Sequence, residues 1–436
     1  MTPIRTIAFA ALAMTVLLAV GFVILPDLYR PSEDLLALWL AGQAVADQRP
    51  DLIYSSYPDA FTMQPPLPEW LDMAAATGHQ STVFPYLYPP LWAYLMAPVT
   101  EVIGFAQFRS LANLVNPMLL LAVVLLAWRA VRTPLHPLIY VIAGGTILSL
   151  STVGDIAIQQ NQPQILVAFL LLVAIERARA GREVAAGTAL AIAAAIKLFP
   201  ALYIVLFLAA GLHRAVLSFL IVGAALGLGS IALAGWPLHL EFLSGVHAVS
   251  ASAMKTPFGI GLDNILAYLV DDSAMTRVPV QTLAAAESGG YWLVVEKTAV
   301  WTLATRVLTL ATLAAAVWFT RRMGEQALYT SIWPVSMIAL GLLSPLSWPY
   351  YYIAPLAFAP TFLSVFGWTR GGMILALGVL PTNVTFLVFL QSSFGVGMNR
   401  WFSVLGFLSM LFFIAAFVVA GLRAEAPQKG RTTLPE

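Results

Sequence analysis

The sequence contains no cysteine and few charged residues. Among 436 residues, Asp, Glu, Lys and Arg together make up only 10%. The absence of cysteine excludes disulfides, thiolate metal sites and cysteine nucleophiles. A soluble domain carries about 25% charged residues, so the low charge indicates a surface that faces lipid. The net charge of +1, with no basic patch, argues against nucleic acid as a partner.

Long apolar runs dominate what remains, and the mean hydropathy is +0.85. Many runs are long enough for a helix to cross a hydrocarbon layer of about 30 Å. We therefore predict an all-α polytopic membrane protein with about twelve transmembrane helices. They are expected near residues 7–25, 108–128, 136–153, 163–177, 184–197, 199–213, 215–234, 298–319, 328–344, 350–367, 371–391 and 402–422. The stretch 88–104, which contains Pro89, Pro90 and Pro98, is expected to be re-entrant or short.

The basic residues predict which side each loop faces. Clusters such as Arg177 with Arg179 and Arg321 with Arg322 lie at the ends of apolar runs, as expected for cytoplasmic anchors. Acidic residues gather in the segments between them, so 26–87 and 235–297 are predicted to be long extracytoplasmic loops. The chain is then a bacterial inner-membrane protein with an uncleaved first span and both termini in the cytoplasm. One integral-membrane domain covers 1–422, and a polar cytoplasmic tail follows at 423–436.

The first loop contains the leading candidate for a catalytic group. Apolar residues recur at helical spacing over Leu35–Ala46, which predicts a helix lying on the membrane surface. Glu33 and Asp34 stand at its start. Either Asp34 or Ser32 caps the helix, or the carboxylate takes a proton from an acceptor hydroxyl. The sequence leaves both readings open.

Three further motifs combine polar and aromatic side chains at predicted helix ends. The motifs are Tyr88-Pro89-Pro90-Leu91, the stretch GDIAIQQNQPQ with Asp155, Gln160, Asn161 and Gln162, and the run Ser344–Tyr352 with Ser347, Trp348, Tyr350 and Tyr351. As structural features, the first is a proline turn, the second a hydrogen-bonded helix end and the third an interfacial aromatic belt. As functional features, their amides and aromatic rings bind a sugar.

Lys197 interrupts an apolar run in the stretch AIKLFP. A lysine at this depth either snorkels to the interface or pairs with an anion such as a lipid phosphate. Lys255, Lys297 and Arg400 are other extracytoplasmic cations that could pair with a phosphate. The sequence contains no HExxH, GxxxxGK[ST] or DxD motif, and its histidines are scattered, so we predict neither a metal site nor a cofactor.

Five motifs in order resemble glycosyltransferase family 87, the mannosyltransferase-like membrane enzymes that use polyprenyl-phosphate sugars. They are DLLALWLAGQAV (34–45) followed by Tyr54, YLYPPLWAYLMAP (86–98), QQNQPQILVAFLLL (159–172), AIKLFPAL (195–202) and SPLSWPYYY (344–352). Related enzymes often carry histidine after the last motif, where this chain has Pro349, Tyr350 and Tyr351. If that histidine contacts the phosphate or assists catalysis, the substitution puts donor binding or activity in doubt.

The resemblance implies a GT-C fold with its active site at the extracytoplasmic rim and Asp34 as general base. It implies an inverting transfer of a hexose, with mannose favoured, from a polyprenyl-phosphate donor to a glycolipid or glycan acceptor. Glu33, Tyr54, Tyr88, Lys197 and the polar residues of the three motifs are the expected binding residues. Two alternatives remain: a transporter or lipid flippase, and a catalytically inactive family member.

Overall fold

The structure is a computed structural model that describes residues 30–54, 68–285, 289–395 and 399–429. The predicted first span, 7–25, lies outside these residues. Helices dominate the described part of the chain. The longer ones are Glu33–Ala46, Pro68–Ala76, Pro90–Val102, Phe105–Val131, Pro137–Leu150, Thr152–Gln159, Gln164–Arg179, Glu183–Ile196, His213–Ala251, Ala299–Arg322, Trp333–Leu342, Trp368–Val379, Val384–Phe394 and Asn399–Lys429.

Four helices in the described part of the chain are long and apolar enough to cross a membrane. They are Phe105–Val131, His213–Ala251, Ala299–Arg322 and the Arg400–Ala424 part of the last helix. Two bent pairs raise the number to six if each pair counts as one span. The membrane character is thus confirmed, whereas the predicted count of about twelve spans is not.

Prolines break several of the predicted spans into shorter pieces. The predicted span 350–367 is not one helix but a series of short turns: Pro349–Tyr352, Ile353–Leu356, Ala359–Thr361 and Phe362–Val365. Pro355 and Pro360 lie inside this series, and proline lacks the backbone N–H that a continuous helix needs. The stretch 88–104 forms the helix Pro90–Val102 of 13 residues. At 1.5 Å per residue this is about 20 Å, which agrees with the short segment predicted there.

The helix predicted to lie on the membrane surface is instead buried in the protein. Leu36, Leu40 and Ala44 of Glu33–Ala46 are fully buried. A Cβ added at Gly42 would lie 2.6 Å from the Cβ of Met96 in Pro90–Val102, so the two helices are in close contact. The apolar residues of this helix are therefore accounted for by protein contacts.

The second loop contains structure that the sequence analysis did not predict. The helix His213–Ala251 continues past residue 235 after a kink at Gly235, whose φ is 75°. Strands β1 (Ser252–Lys255), β2 (Thr276–Pro279) and β3 (Tyr291–Glu296) then form an antiparallel sheet in the order β1-β3-β2. The Val83 amide donates to the Gln281 carbonyl at 2.9 Å, which joins the first loop to the second.

The core lies between the central helices. Val124, Leu172, Leu190 and Phe417 belong to one continuous cluster of buried side chains, to which Tyr352 also belongs. At the carboxyl end, the last helix continues to Lys429, past the start of the predicted tail at 423, and 430–436 lie outside the described residues. The packing of the central helices brings several helix ends together at one side of the bundle.

Candidate active site

A cavity of about 580 Å³ lies where these helix ends meet. Its wall combines acidic, basic, amide and aromatic side chains from both loops and from the bundle. The predicted site residues in this wall are Asp34, Tyr88, Gln160, Gln162, Lys197, Trp348, Tyr350 and Tyr351. Segments far apart in the sequence thus contribute to one chamber.

Asp34 is held by the amide side chains of the stretch GDIAIQQNQPQ (154–164), called here the amide motif. Its carboxylate Oδ2 accepts a hydrogen bond from Gln162 Nε2 at 2.5 Å, and its backbone N–H donates to Gln160 Oε1 at 3.3 Å. Ser32 occupies the N-cap position with a left-handed φ of 57° and makes no side-chain capping bond. The helix-cap interpretation of Asp34 and Ser32 is therefore wrong.

Gln162 also contacts the cation of the site. Its Oε1 accepts hydrogen bonds from Tyr88 Oη at 2.7 Å and from Lys197 Nζ at 3.4 Å. One amide thus links Asp34 to Lys197. The Asp155–Gln164 stretch is neither a simple turn nor only a helix end, because two of its amides reach the proposed base.

Three tyrosine rings surround the Lys197 ammonium group. Its Nζ lies 5.1 Å from the ring centroids of Tyr350 and Tyr351 and 5.5 Å from that of Tyr88. The side chain is therefore directed into the cavity and does not snorkel to the lipid headgroups. Aromatic faces stabilise a cation without neutralising its charge, so Lys197 remains available to an anionic ligand.

Burial and charge act in opposite directions on Asp34. The pKa of its carboxyl rises from 3.8 to about 7, because burial, with a smaller contribution from the charge of Glu33, outweighs the positive charge of Lys197 and the Gln162 hydrogen bond, which lower the pKa. Desolvation disfavours the charged form of an acid, and a nearby cation favours it. The resulting pKa suits a group that takes up a proton near neutral pH.

Four predicted site residues lie behind the cavity wall. Glu33 accepts a hydrogen bond from Ser81 Oγ at 3.0 Å, and the Tyr54 hydroxyl donates to the Tyr88 carbonyl. The Ser347 hydroxyl bonds Tyr352 Oη at 2.6 Å. Asn161 is buried as well, and none of the four lines the cavity. Of the four, Tyr54 bonds a residue of the wall directly, Tyr88.

Asn161 holds the amide motif in shape. Its φ of 45° is left-handed, a conformation that asparagine tolerates better than most residues. Its Nδ2 donates to Ser32 Oγ at 3.0 Å and to Asn113 Oδ1 at 2.6 Å, and its Oδ1 accepts from Asn116 at 2.8 Å. This turn directs the side chains of Gln160 and Gln162 towards Asp34.

The cavity also has wall residues outside the predicted set. Asp155 and Gln159 line it and hydrogen-bond to each other at 2.5 Å. Trp292 of β3 and Phe258 come from the second loop. The acid in the amide motif and the tryptophan in the long loop were visible signals, whereas nothing in the sequence distinguished Phe258.

The other cations that were predicted to be extracytoplasmic have partners outside the cavity. Lys255 pairs with Asp272, and Lys297 pairs with Asp263 at 2.9 Å. Arg400 lies over the ring of Trp401 and is not a lining residue of the cavity. Among the described residues, no group of three or more His, Asp or Glu side chains could hold a metal ion.

The chain is similar to a protein family and to solved structures of known proteins. No curated protein matches the sequence. Among solved structures, the chain is similar to the crystal structure of ArnT from Cupriavidus metallidurans bound to undecaprenyl phosphate. The identity is 16%, the TM-score is 0.34, and the alignment covers 98% of this chain and 81% of that one.

The family model of glycosyltransferase family 87 matches residues 86–345, which is more than half of the chain. This match covers the proline turn at Tyr88–Leu91, the amide motif and Lys197. It ends at the start of the run Ser344–Tyr352, called here the tyrosine motif. It confirms the resemblance stated from the motifs, and with the helical architecture it confirms the fold class as a polytopic membrane protein of the GT-C type. The chain belongs to glycosyltransferase family 87.

Proposed function

We propose that the protein transfers a hexose, with mannose favoured, from a polyprenyl-phosphate donor to a glycolipid or glycan acceptor. The transfer occurs at the periplasmic face of the bacterial inner membrane. One observation carries the proposal: a half-buried carboxylate, Asp34, shares a cavity with Lys197, and Gln162 bonds both. A general base can accept the proton of an acceptor hydroxyl, and a cation can stabilise the charge of a leaving phosphate.

The reaction is an inverting displacement at the anomeric carbon. The acceptor hydroxyl gives its proton to Asp34, and its oxygen forms the new glycosidic bond on the face opposite the phosphate. The bond between the anomeric carbon and the phosphate oxygen breaks, and the polyprenyl phosphate leaves with the electron pair. Lys197 stabilises the negative charge that develops on that phosphate.

The tyrosines at the position of the missing histidine have a role in this scheme. Tyr350 and Tyr351 do not replace a cation themselves, but their rings flank the Lys197 ammonium group. A positive charge is therefore available beside the tyrosine motif. This arrangement favours an active enzyme over an inactive family member.

The cavity wall suits a sugar. Trp292, Trp348 and Tyr350 provide aromatic faces, and Gln159 and Gln160 provide amide groups that hydrogen-bond hydroxyls. The Trp348 and Tyr350 rings stack with their centroids 6.4 Å apart. These groups would position the donor hexose or the acceptor against Asp34.

The Asp34→Asn variant tests the proposal. Purified protein is supplied with a polyprenyl-phosphate mannose and a membrane glycolipid extract, and glycolipid products are quantified by mass spectrometry. Removing a general base costs about 10²–10⁴-fold in rate, so we expect product formation to fall by at least about 100-fold. The variant should retain the wild-type apparent unfolding temperature, because asparagine keeps the shape of the side chain.

Asp47→Asn is the matched control, since Asp47 is exposed at the other end of the same helix and lies outside the cavity. It should transfer at the wild-type rate. Undiminished transfer by the folded Asp34→Asn protein would remove Asp34 from its role. The absence of any hexose transfer by the wild type, across several polyprenyl-phosphate hexoses, would contradict the proposed activity.

A further inference from the structure

Asp155 is a second carboxylate in the wall of the candidate active site, and the proposed transfer does not use it. It lies in the helix Thr152–Gln159, is half-buried and lines the cavity. Its Oδ2 accepts a hydrogen bond from Gln159 Nε2 at 2.5 Å, and Gln159 also lines the cavity. Among the residues that the structure describes, no donor pairs with Asp155 Oδ1 or Gln159 Oε1. The pair therefore offers two free acceptors to a ligand.

No positive charge compensates Asp155. None of the ion pairs within the described part of the chain includes it. Lys197 is the only cation among the described residues that line the cavity, and its hydrogen bond goes to Gln162. The neighbours of Asp155 in the wall, Thr152 and Ile156, are uncharged. A carboxylate that leaves bulk water is costly unless other groups donate hydrogen bonds to it, so a ligand with donor groups fits this end of the cavity.

The hydrogen bonds of the amide motif show where Asp155 stands relative to the reacting groups. Its amide partner directly precedes Gln160, whose Oε1 accepts from the Asp34 backbone N–H at 3.3 Å. On the other side, Gln162 links the Asp34 carboxylate to Lys197. Asp34 therefore lies between Asp155 and Lys197 in this series of bonds. The phosphate belongs at Lys197 in the proposed reaction, and an inverting displacement brings the acceptor from the opposite side. Asp155 is thus on the side of the acceptor.

We propose that Asp155 and Gln159 bind two hydroxyl groups of a neutral sugar in the acceptor, which makes Asp155 a specificity-determining residue. Each hydroxyl of a sugar ring donates one hydrogen bond, so neighbouring hydroxyls match two neighbouring acceptors, and a bond to a carboxylate is about twice as strong as one to a neutral group. The charge of Asp155 also repels a phosphate or a carboxylate. The acceptor is therefore an uncharged sugar of a glycan or glycolipid and not a phosphate headgroup. The assignment to the acceptor rests on the proposed function, whereas the sugar subsite rests on Asp155 and Gln159.

Binding to the full chain in nanodiscs tests the subsite. The probes are the octyl glycosides of mannose, glucose and galactose and the corresponding uronides, and tryptophan fluorescence, to which Trp292 and Trp348 of the cavity wall contribute, reports occupancy. We expect Asp155→Asn to weaken binding of the tightest neutral glycoside by at least about tenfold, which equals 1.4 kcal/mol. Gln159→Met should weaken it in the same direction. The wild type should bind each uronide more weakly than its neutral glycoside, and Asp155→Asn should reduce that difference.

Asp72→Asn is the matched control, because Asp72 is exposed in the helix Pro68–Ala76 and lies outside the cavity. Its affinities should equal those of the wild type. Equal affinity of the folded Asp155→Asn protein for all three neutral glycosides would overturn the subsite, as would the absence of binding by the wild type. If Asp155→Asn does not fold, unchanged binding by the folded Gln159→Met protein would overturn it as well.

Steady-state transfer then separates the acceptor from the donor. With the tightest glycoside as acceptor and a polyprenyl-phosphate mannose as donor, Asp155→Asn should raise the KM of the acceptor by at least about tenfold and leave the KM of the donor unchanged. A raised KM for the donor alone would overturn the assignment to the acceptor, and a change in kcat alone would overturn a binding role. Glycoside binding does not require transfer. A wild type that binds the glycosides but transfers no hexose would therefore contradict the proposed function and leave the sugar subsite standing.

Discussion

At the scale of single residues, Gln162 determines how the two charged groups of the site act together. Its amide can donate to Asp34 only while its oxygen faces Tyr88 and Lys197. The carboxylate and the cation therefore stay linked without a direct ion pair at 4 Å or less among the described residues. Asp34 keeps a free oxygen for an acceptor hydroxyl, and Lys197 keeps most of its charge for a phosphate.

The pH dependence of transfer should report the burial of Asp34. A general base acts only when it is deprotonated, so kcat/KM should fall as the pH drops through the raised pKa of about 7. Lys197 lowers that pKa, and Lys197→Met should therefore shift the acidic limb to higher pH while also reducing the rate. A pH–rate profile of both proteins measures this. An unshifted limb, or one near pH 4 in the wild type, would contradict the assignment.

At the scale of elements, the site depends on helices that end at the same level. Lys197 follows directly after Glu183–Ile196, and Gln162 lies just before Gln164–Arg179. The first of these helices is in backbone contact with His213–Ala251: a Cβ added at Gly187 would lie 2.0 Å from the Ala215 carbonyl oxygen. Only glycine allows the two helices to approach so closely. The position of Lys197, at the end of Glu183–Ile196, therefore depends on Gly187.

Gly187→Ala should therefore destabilise the protein and reduce transfer. Overpacking a close contact costs about 1–3 kcal/mol, and the backbone oxygen that it meets cannot turn away. The apparent unfolding temperature in detergent measures the loss. Gly223→Ala is the control, because a Cβ at Gly223, in the partner helix, meets nothing within 4 Å. Equal unfolding temperatures for the two variants would refute the close contact.

At the scale of the whole molecule, the outer surface matches a lipid environment. Leu303, Val307 and Leu310 of Ala299–Arg322 are exposed, and the exposed Leu220 and Ile221 of His213–Ala251 repeat this pattern. Such large apolar surfaces belong in contact with lipid. The charged network of Arg129, Glu176 and Arg177 lies on the side predicted to be cytoplasmic, while the candidate site lies with the two long loops.

The absence of native cysteine gives a direct test of orientation. Gln80→Cys places a thiol in the first loop, and Ala180→Cys places one after Gln164–Arg179; both positions are exposed. In intact spheroplasts, a membrane-impermeant maleimide should label the Gln80 variant at once and the Ala180 variant only after permeabilisation. Labelling in the reverse order would place the candidate site in the cytosol, where it could not act on periplasmic acceptors.

Much of the fold could be read from hydropathy. Phe105–Val131, Ala299–Arg322 and the last helix follow their predicted spans closely, because a long apolar run has few alternatives to a helix in lipid. The 350–367 segment and the small sheet could not be predicted. Their short pieces are stabilised by neighbours distant in the sequence, such as Trp348 against Val294 of β3 and Val278 of β2.

The sequence by itself determined the membrane environment, the family and the motifs from which a site could be built, because composition and local order encode these properties. Only the tertiary structure decided which members of each motif face the cavity. Asp34 faces it while Glu33 does not, and Gln160 and Gln162 face it while Asn161 between them is buried. Adjacent side chains point in different directions from a turn or a helix, and the surrounding packing fixes which direction leads to the cavity.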